Sequence, residues 1–244
     1  MALTDMVMMP GEDYQAACDK LREKTGTTDA IKSGDWPDLL DSIGGSSGGD
    51  IDALIDGSIT EIHSNAESIS NYAFYNCAAL TTADFPVATS IGTAAFQSCG
   101  KLATADFPAV TSIGTYAFYN CGTLATADFP VATRIGNEAF QFCGKLTTAD
   151  FPVATSIGNK AFQSCGKLQS FILRNTEQVC TLSNTYAFNS TPITSGTGYI
   201  YVPRAMVDSY KAATNWSTYA DQIRALEDYT VDGTTTGALD ETKI

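Results

Sequence analysis

The tetrapeptide Ala-Asp-Phe-Pro begins at positions 83, 105, 127 and 149, 22 residues apart each time. A strict period of this length means that the middle of the chain is a stack of equal structural units. Stacked units repeat the same local physics at every level. Function is then expected along an extended surface and at the two ends, rather than in one catalytic pocket.

Placed on the period, each position keeps its chemistry. Leu80, Leu102, Leu124, Leu146 and Leu168 form one column, and Phe85, Phe107, Phe129 and Phe151 a second. Ile69, Ile91, Ile113, Ile135 and Ile157 form a third, and an Ala-Phe pair returns at 73–74, 95–96, 117–118, 139–140, 161–162 and 187–188. Cys77, Cys99, Cys121, Cys143 and Cys165 follow the same beat. A single unit of this size cannot bury so many apolar groups. Neighbouring units must cover one another, so the columns become ladders through one continuous core.

Two local signals recur in each unit. In Leu-x-x-Ala-Asp-Phe-Pro, Ala83 and Phe85 fall on one side while Thr82 and Asp84 fall on the other, the alternation of a strand. The proline removes a ladder donor and ends it. This predicts one parallel strand per unit. Next come Ile-Gly and then Asn71, Thr93, Thr115, Asn137, Asn159 or Thr185, two residues before Ala-Phe. These are helix-capping residue types, and they predict one helical turn. Gly100, Gly122, Gly144 and Gly166, after the cysteines, suit a left-handed exit from it.

The pattern Ile-Gly-x-x-Ala-Phe-x-x-Cys-x-x-Leu resembles the BspA-like leucine-rich repeats of many bacterial surface proteins and some protists, over residues 59–195. The resemblance implies an α/β fold: a curved, right-handed leucine-rich repeat solenoid with a parallel sheet. It also implies adhesion or binding rather than catalysis.

A second regularity overlies the first. The units starting at 69 and 113 share Tyr-Ala-Phe-Tyr-Asn-Cys, while those at 91, 135 and 157 share Ala-Phe-Gln-x-Cys-Gly-Lys-Leu. The alternation places Tyr72, Tyr75, Tyr116 and Tyr119 as a pair of aromatic patches on the helical edge, and makes them candidate binding residues.

A net charge of −13 excludes nucleic acid as the expected partner, since phosphates need a basic face. No apolar run is long enough to cross a bilayer, which excludes membrane insertion through a helix. The opening MALTDMVMMPGEDY lacks a basic segment followed by an apolar one, so no signal peptide is recognised. Seven cysteines are an odd number, and those on the period would stack pointing the same way. They are expected to be buried free thiols acting as small hydrophobes.

The ends differ from the middle. Residues 1–43 read as a small helical docking module, with Tyr14, Ala17, Cys18 and Leu21 on one stripe, and a second short helix near Asp35-Trp36-Pro37. Residues 44–50 are a Gly/Ser linker. The repeats occupy 51–198, a cap 199–228, and an acidic tail 229–244. Within the cap, Tyr199–Pro203 reads as a strand, and 205–212 and 217–227 as helices. The segment Asp-Tyr-Gln-Ala-Ala-Cys-Asp-Lys-Leu-Arg-Glu-Lys-Thr-Gly (13–26) looks like a module of tail-associated proteins of gut-bacterial phages and prophages. That resemblance implies virion assembly or homo-oligomerisation through residues 1–43, and export by lysis. The phrase Tyr-Val-Pro…Tyr-Lys-Ala-Ala-Thr-Asn-Trp…Ile is similar to the closing segment of BspA-like arrays. A terminal unit would otherwise expose the Phe and Leu ladders.

No constellation for nucleophilic catalysis is present, and no cofactor is implied. His63 is the only imidazole and reads as a partly buried structural residue. The column Asp84, Asp106, Asp128 and Asp150 is predicted to point outward, its carboxylates about 5 Å apart. Neighbouring repulsion is then only about 0.8 kcal/mol in water, so an exposed polar row is tolerable. The same row is the sole candidate for weak Ca²⁺ binding, although calcium takes about six to eight oxygens and a flat row supplies few. It is also a landing strip for a basic partner. Anchor chemistry for a partner is expected on the tyrosine edge and at Tyr199, Tyr201 and Trp216 of the cap. Two function classes follow. One is an adhesion module presenting its repeats to a protein or cell-surface glycan. The other is a structural spacer whose N-terminal helices dock it to a larger particle.

Overall fold

The computed structural model describes residues 59–228. The sequence readings for 1–43, 44–50 and 229–244 lie outside the described residues.

Each repeat contributes two short strands, not one. The first rung holds β1 (Glu61–His63) and β2 (Ser68–Ile69), and the second β3 (Thr82–Asp84) and β4 (Ser90–Ile91). The third holds β5 (Thr104–Asp106) and β6 (Ser112–Ile113), and the fourth β7 (Thr126–Asp128) and β8 (Arg134–Ile135). The fifth holds β9 (Thr148–Asp150) and β10 (Ser156–Ile157), and the sixth β11 (Ser170–Ile172) and β12 (Thr181–Leu182). All pairings are parallel, and equivalent residues of successive rungs lie side by side: Thr82 beside Thr104, Ile91 beside Ile113. The second strands of the six rungs, β2 to β12, form an unbroken six-stranded sheet. Two residues of Ser-Ile alternation were too short a signal to read as a strand.

The expected helical turn does not form. The segment after Ile-Gly is a chain of tight turns whose alternate amides reach the next rung. Tyr72, Phe74 and Asn76 donate to the carbonyls of Thr93, Ala95 and Gln97 at 2.9, 2.7 and 2.7 Å, while Ala73 and Tyr75 close turns locally onto Ser70 and Tyr72. The pattern demands left-handed backbone at two positions of each of the first five rungs, among them Tyr72 (φ 60°), Asn76 (58°), Ala94 (54°), Ser98 (62°), Glu138 (55°) and Phe142 (63°). A non-glycine residue there costs about 1 kcal/mol or more, sustained because the surrounding ladder over-determines it. The glycines expected at left-handed exits are not left-handed: among described glycines only Gly196 has a positive φ, 83°. The expected caps bridge rungs instead, as Asn71 Oδ1 accepts from the Thr93 amide at 2.7 Å and Asn137 Oδ1 from Asn159 at 2.8 Å.

The core lies between these three ladders. Phe85, Phe107, Phe129 and Phe151 are at most 1% exposed and stack in register, as do Phe74, Phe96, Phe118, Phe140 and Phe162. The two Phe columns meet edge-on or tilted, for instance Phe129 with Phe140 at 5.8 Å. Each such pair contributes about 0.5–1.5 kcal/mol beyond burial. The six described cysteines are free and buried. They are more than fillers: Cys99, Cys121, Cys143 and Cys165 donate from sulfur to the carbonyls of Phe74, Phe96, Phe118 and Phe140, at 3.0–3.1 Å.

The cap carries β13 (Tyr199–Val202) and β14 (Ile223–Ala225), which extend the sheet beyond β11. Helix α1 (Pro192–Ser195) precedes β13, and α2 (Val207–Ala212) follows a 3₁₀ turn at Arg204–Met206. The helix expected over 217–227 is instead a 3₁₀ stretch (Trp216–Gln222), then β14, then a 3₁₀ turn at Leu226–Asp228. Parallel pairing on the open edge of β13 overrides the local helical pattern. On the other sheet, side chains close the edge. Trp216 Nε1 donates to Cys180 O at 2.6 Å, Asn215 Nδ2 to Leu182 O at 2.7 Å, and Tyr219 Oη to Thr185 O at 2.5 Å.

Candidate functional site

Two surfaces carry the candidate residues. The first is the Thr-Ala-Asp face. Asp84 lies beside Asp106, and Asp128 beside Asp150. The alanines between them point inward, so the carboxylates and the threonines point out. The two ends of this row have partners from neighbouring rungs. His63 Nδ1 stands 3.1 Å from Asp84 Oδ2, and Arg174 grips Asp150 with Nη2 at 2.5 Å and Nε at 3.3 Å. His63 is thus not partly buried: its side chain is 60% exposed, lying along the Asp row.

The middle of the row is different. The Thr-Ala-Asp ladder is interrupted between β5 and β7, leaving one sheet of β1, β3 and β5 and another of β7, β9, β11, β13 and β14. Ala105 is half-buried there, whereas Ala83, Ala127 and Ala149 are buried, and Asp106 and Asp128 are the exposed members of the row. The interruption adjoins a local inversion in the sequence. Rung three reads Pro108-Ala109-Val110 where its neighbours read Pro-Val-Ala. Val110 is fully buried in a column otherwise filled by Ala88, Ala132 and Ala154. Partial desolvation, the carboxylate of Asp150 and that of Asp106 raise the Asp128 carboxyl above its ordinary range, opposed by Arg174. Among the described residues, no group of three or more His, Cys, Asp or Glu comes together in a way that could hold a metal ion.

The second surface is the turn edge. Tyr72, Tyr75, Tyr116 and Tyr119 are all half-buried. Within each pair the rings meet at steep angles, Tyr72 with Tyr75 at 6.0 Å and Tyr116 with Tyr119 at 5.6 Å. The pairs belong to rungs one and three. Between them lies rung two, whose Ala94 is 1% exposed. Each of these tyrosines is thus partly covered and partly in solvent. Tyr119 also meets Phe142 of rung four at 5.4 Å, and Tyr116 Oη donates to Glu138 Oε1 at 3.3 Å. Desolvation and the Glu138 carboxylate raise the Tyr116 phenol.

Phe142, Glu138 and Arg174 were not singled out from the sequence. A signal for Phe142 existed: it fills the variable place in Ala-Phe-Gln-x-Cys, where the sister units carry Ser98 and Ser164. The cap aromatics expected as anchors are not available. Tyr201 and Trp216 are at most 1% exposed: Trp216 covers Phe188 of the last rung, and Tyr201 packs with Ile172 and Leu226 in a separate small cluster. Tyr199 is half-buried under the Arg224 guanidinium, 4.6 Å from its ring centre. No described helix is long and apolar enough to cross a membrane.

Comparison with known proteins identifies the repeat. No curated protein matches the chain. Among solved structures, a leucine-rich repeat protein from Bacteroides ovatus ATCC 8483 is 25% identical over 59% of this chain and 39% of its own, with a TM-score of 0.45. A leucine-rich repeat protein of T. pallidum is 33% identical over 47% of this chain and 52% of its own, with a TM-score of 0.42. The chain thus spans well under two thirds of either protein. The BspA type leucine-rich repeat region matches residues 56–168 and 89–200, with six copies. Those matches cover more than half of the chain, and the rungs follow the same period: the chain belongs to the BspA type leucine-rich repeat family.

Proposed function

We propose that this chain is a non-enzymatic adhesion module of a phage virion, presenting its repeat surface to a protein or glycan on the surface of a gut bacterium. The family supports the coarser part of this reading, because leucine-rich repeat proteins typically mediate binding. The observation that carries it is the turn edge. Four tyrosines at matching places in alternate units hold themselves in position by packing and keep part of each ring in solvent. Aromatic side chains concentrate interface energy, and few are needed. The Thr-Asp face supplies a second array, selective for cationic partners at its exposed members, Asp106 and Asp128. Individually weak contacts gain strength from copies of the chain displayed on one particle. The resemblance of segment 13–26 to phage tail modules supports a docking role for residues 1–43.

Beads bearing the full-length chain test this. Retention on target cells is expected to fall when Tyr72, Tyr75, Tyr116 and Tyr119 are replaced together by Ser, with the folded circular dichroism signal kept. Replacing Asp84, Asp106, Asp128 and Asp150 by Asn is expected to weaken only a cationic partner. Full-length chain that binds no cell, yet assembles onto virions through residues 1–43, would establish the spacer role instead.

A further inference from the structure

We propose that Tyr116, Tyr119, Phe142 and Glu138 form one seat for a basic side chain, arginine or lysine, of a partner protein. This rests on the binding-module reading and names the chemistry of the partner at one point on the array.

The repeat supplies its own controls. Rungs two, four and five share Ala-Phe-Gln-x-Cys-Gly-Lys-Leu, with Ser98, Phe142 and Ser164 at the variable place. Their backbone there is the same, φ 62°, 63° and 60°. Phenylalanine is therefore not required by the fold at this place, since serine does as well in two sister rungs. It is also unfavourable there by burial, because Phe142 keeps 43% of its surface in solvent. The same comparison isolates Glu138, which stands where the sisters carry Ala94 and Lys160, again with matching backbone, φ 55°, 54° and 54°. These two departures of rung four fall against the tyrosines of rung three. Glu138 meets Tyr116 and Phe142 meets Tyr119. Beside the first tyrosine pair, rung two carries Ala94 and Ser98 at the places of Glu138 and Phe142.

The combination selects a cation. Ring faces are negative, and a cation within about 6 Å of a ring centre is attracted by them. A carboxylate beside the rings adds charge, and no ion pair among the described residues involves Glu138. The chain's net charge of −13 draws basic partners toward it. Successive rings are turned 76° and 82° from each other. That leaves no flat two-ring platform for the face of a sugar, but it suits a compact group met from more than one side.

The test uses the full chain and N-acetyl-arginine amide, with the uncharged N-acetyl-citrulline amide and N-acetylglucosamine as comparison probes, read by aromatic NMR shifts. Arginine amide is expected to shift the Tyr116, Tyr119 and Phe142 signals saturably, and citrulline amide to do so far less. Phe142→Ser, which the sister rungs show to be compatible with the fold, is expected to weaken arginine amide roughly 3- to 30-fold. Glu138→Ala should weaken it as well, with the thermal midpoint little changed for both variants. Equal response to arginine and citrulline amides, response to the sugar alone, or no response at these rings would overturn the proposal. Cell retention that survives Phe142→Ser would overturn the seat while leaving the adhesion reading intact. Arginine amide binding without any cell retention would do the reverse.

Discussion

A Cβ placed on Gly114 would stand 2.6 Å from the carbonyl carbon of Gly92, one rung back. Gly136 and Gly158 are in the same position against Gly114 and Asn137, at 2.5 Å. These glycines set the approach of the rungs, and the obstacle is backbone, which cannot swing aside. The other glycine column differs: Gly122, after its cysteine, has nothing within 4 Å of a built Cβ and no positive φ. Ala78 already occupies the equivalent place in the first rung. Gly114→Ala should therefore lower stability by about 1–3 kcal/mol or more. Gly122→Ala should raise it by about 0.4–1 kcal/mol, through the unfolded chain. Urea unfolding of the two variants measures both, and similar midpoints would contradict the contrast.

The stacked thiols should be inert in the native protein. Burial pushes the Cys180 thiol up to about 12, and burial likewise raises Cys99, Cys121 and Cys143. A thiol-reactive dye is expected to count seven groups in denaturant, and in native protein at most Cys18, which lies outside the described residues. The sign for stability follows from the raised values. The contribution is complete below the unfolded value, about 8.5, and is lost as pH rises through the folded ones. The thermal midpoint should therefore fall above about pH 9. Rapid native labelling of several thiols would show that the rungs open.

Asp128 makes the opposite kind of contribution from a paired carboxylate. Its folded value is raised, so the penalty is absent in acid, where both states are protonated, sets in as pH rises past the unfolded value, about 3.9, and is complete above the folded one. Asp128→Asn should raise the thermal midpoint at neutral pH and at low salt, with the gain vanishing near pH 3. A variant less stable than the parent at pH 7 would mean that the carboxylate is needed where it stands.

Val110 offers a test of the interrupted ladder. Two additional methyl groups in a column otherwise made of alanine stand beside the place where β5 and β7 fail to pair. Exchanging the pair, Ala109→Val with Val110→Ala, restores the order found in the neighbouring rungs. Amide exchange across 104–107 and 126–129 is expected to slow once the ladder closes. Unchanged exchange would assign the interruption to the facing carboxylates of Asp106 and Asp128 instead.

The cap should be as important for solubility as for stability. Trp216→Phe keeps an aromatic ring but removes the buried pyrrole N–H that donates to Cys180 O, taking away that carbonyl's indole partner at the end of a sheet. A loss of about 1–3 kcal/mol is expected. Concentration-dependent association, seen by light scattering, should accompany it, because an uncovered strand edge is a template for another chain. A variant as stable as the parent and no more associated would show that Asn215 and Tyr219 suffice.

What the sequence determined by itself was everything that depends on period and polarity. Columns spaced 22 residues apart had to stack, so the Phe, Leu, Ile and Cys ladders, the outward Asp row and the need for a cap could all be read before any coordinates. The expected helical turn could not survive, for a reason local reading does not contain. Residues such as Tyr72, Glu138 and Phe142 have no intrinsic preference for left-handed backbone, and only hydrogen bonds to the next rung hold them there. The same holds for the candidate surfaces. Tyr201 and Trp216 look like anchors in isolation, but Trp216 is consumed in covering the last rung and Tyr201 in packing with Ile172 and Leu226. Phe142 joins Tyr119, and Arg174 neutralises Asp150, across gaps of 23 and 24 residues in the chain. A period tells which residues occupy equivalent places. Only the stacking geometry decides which neighbours each one meets, because those contacts run between rungs rather than along the chain.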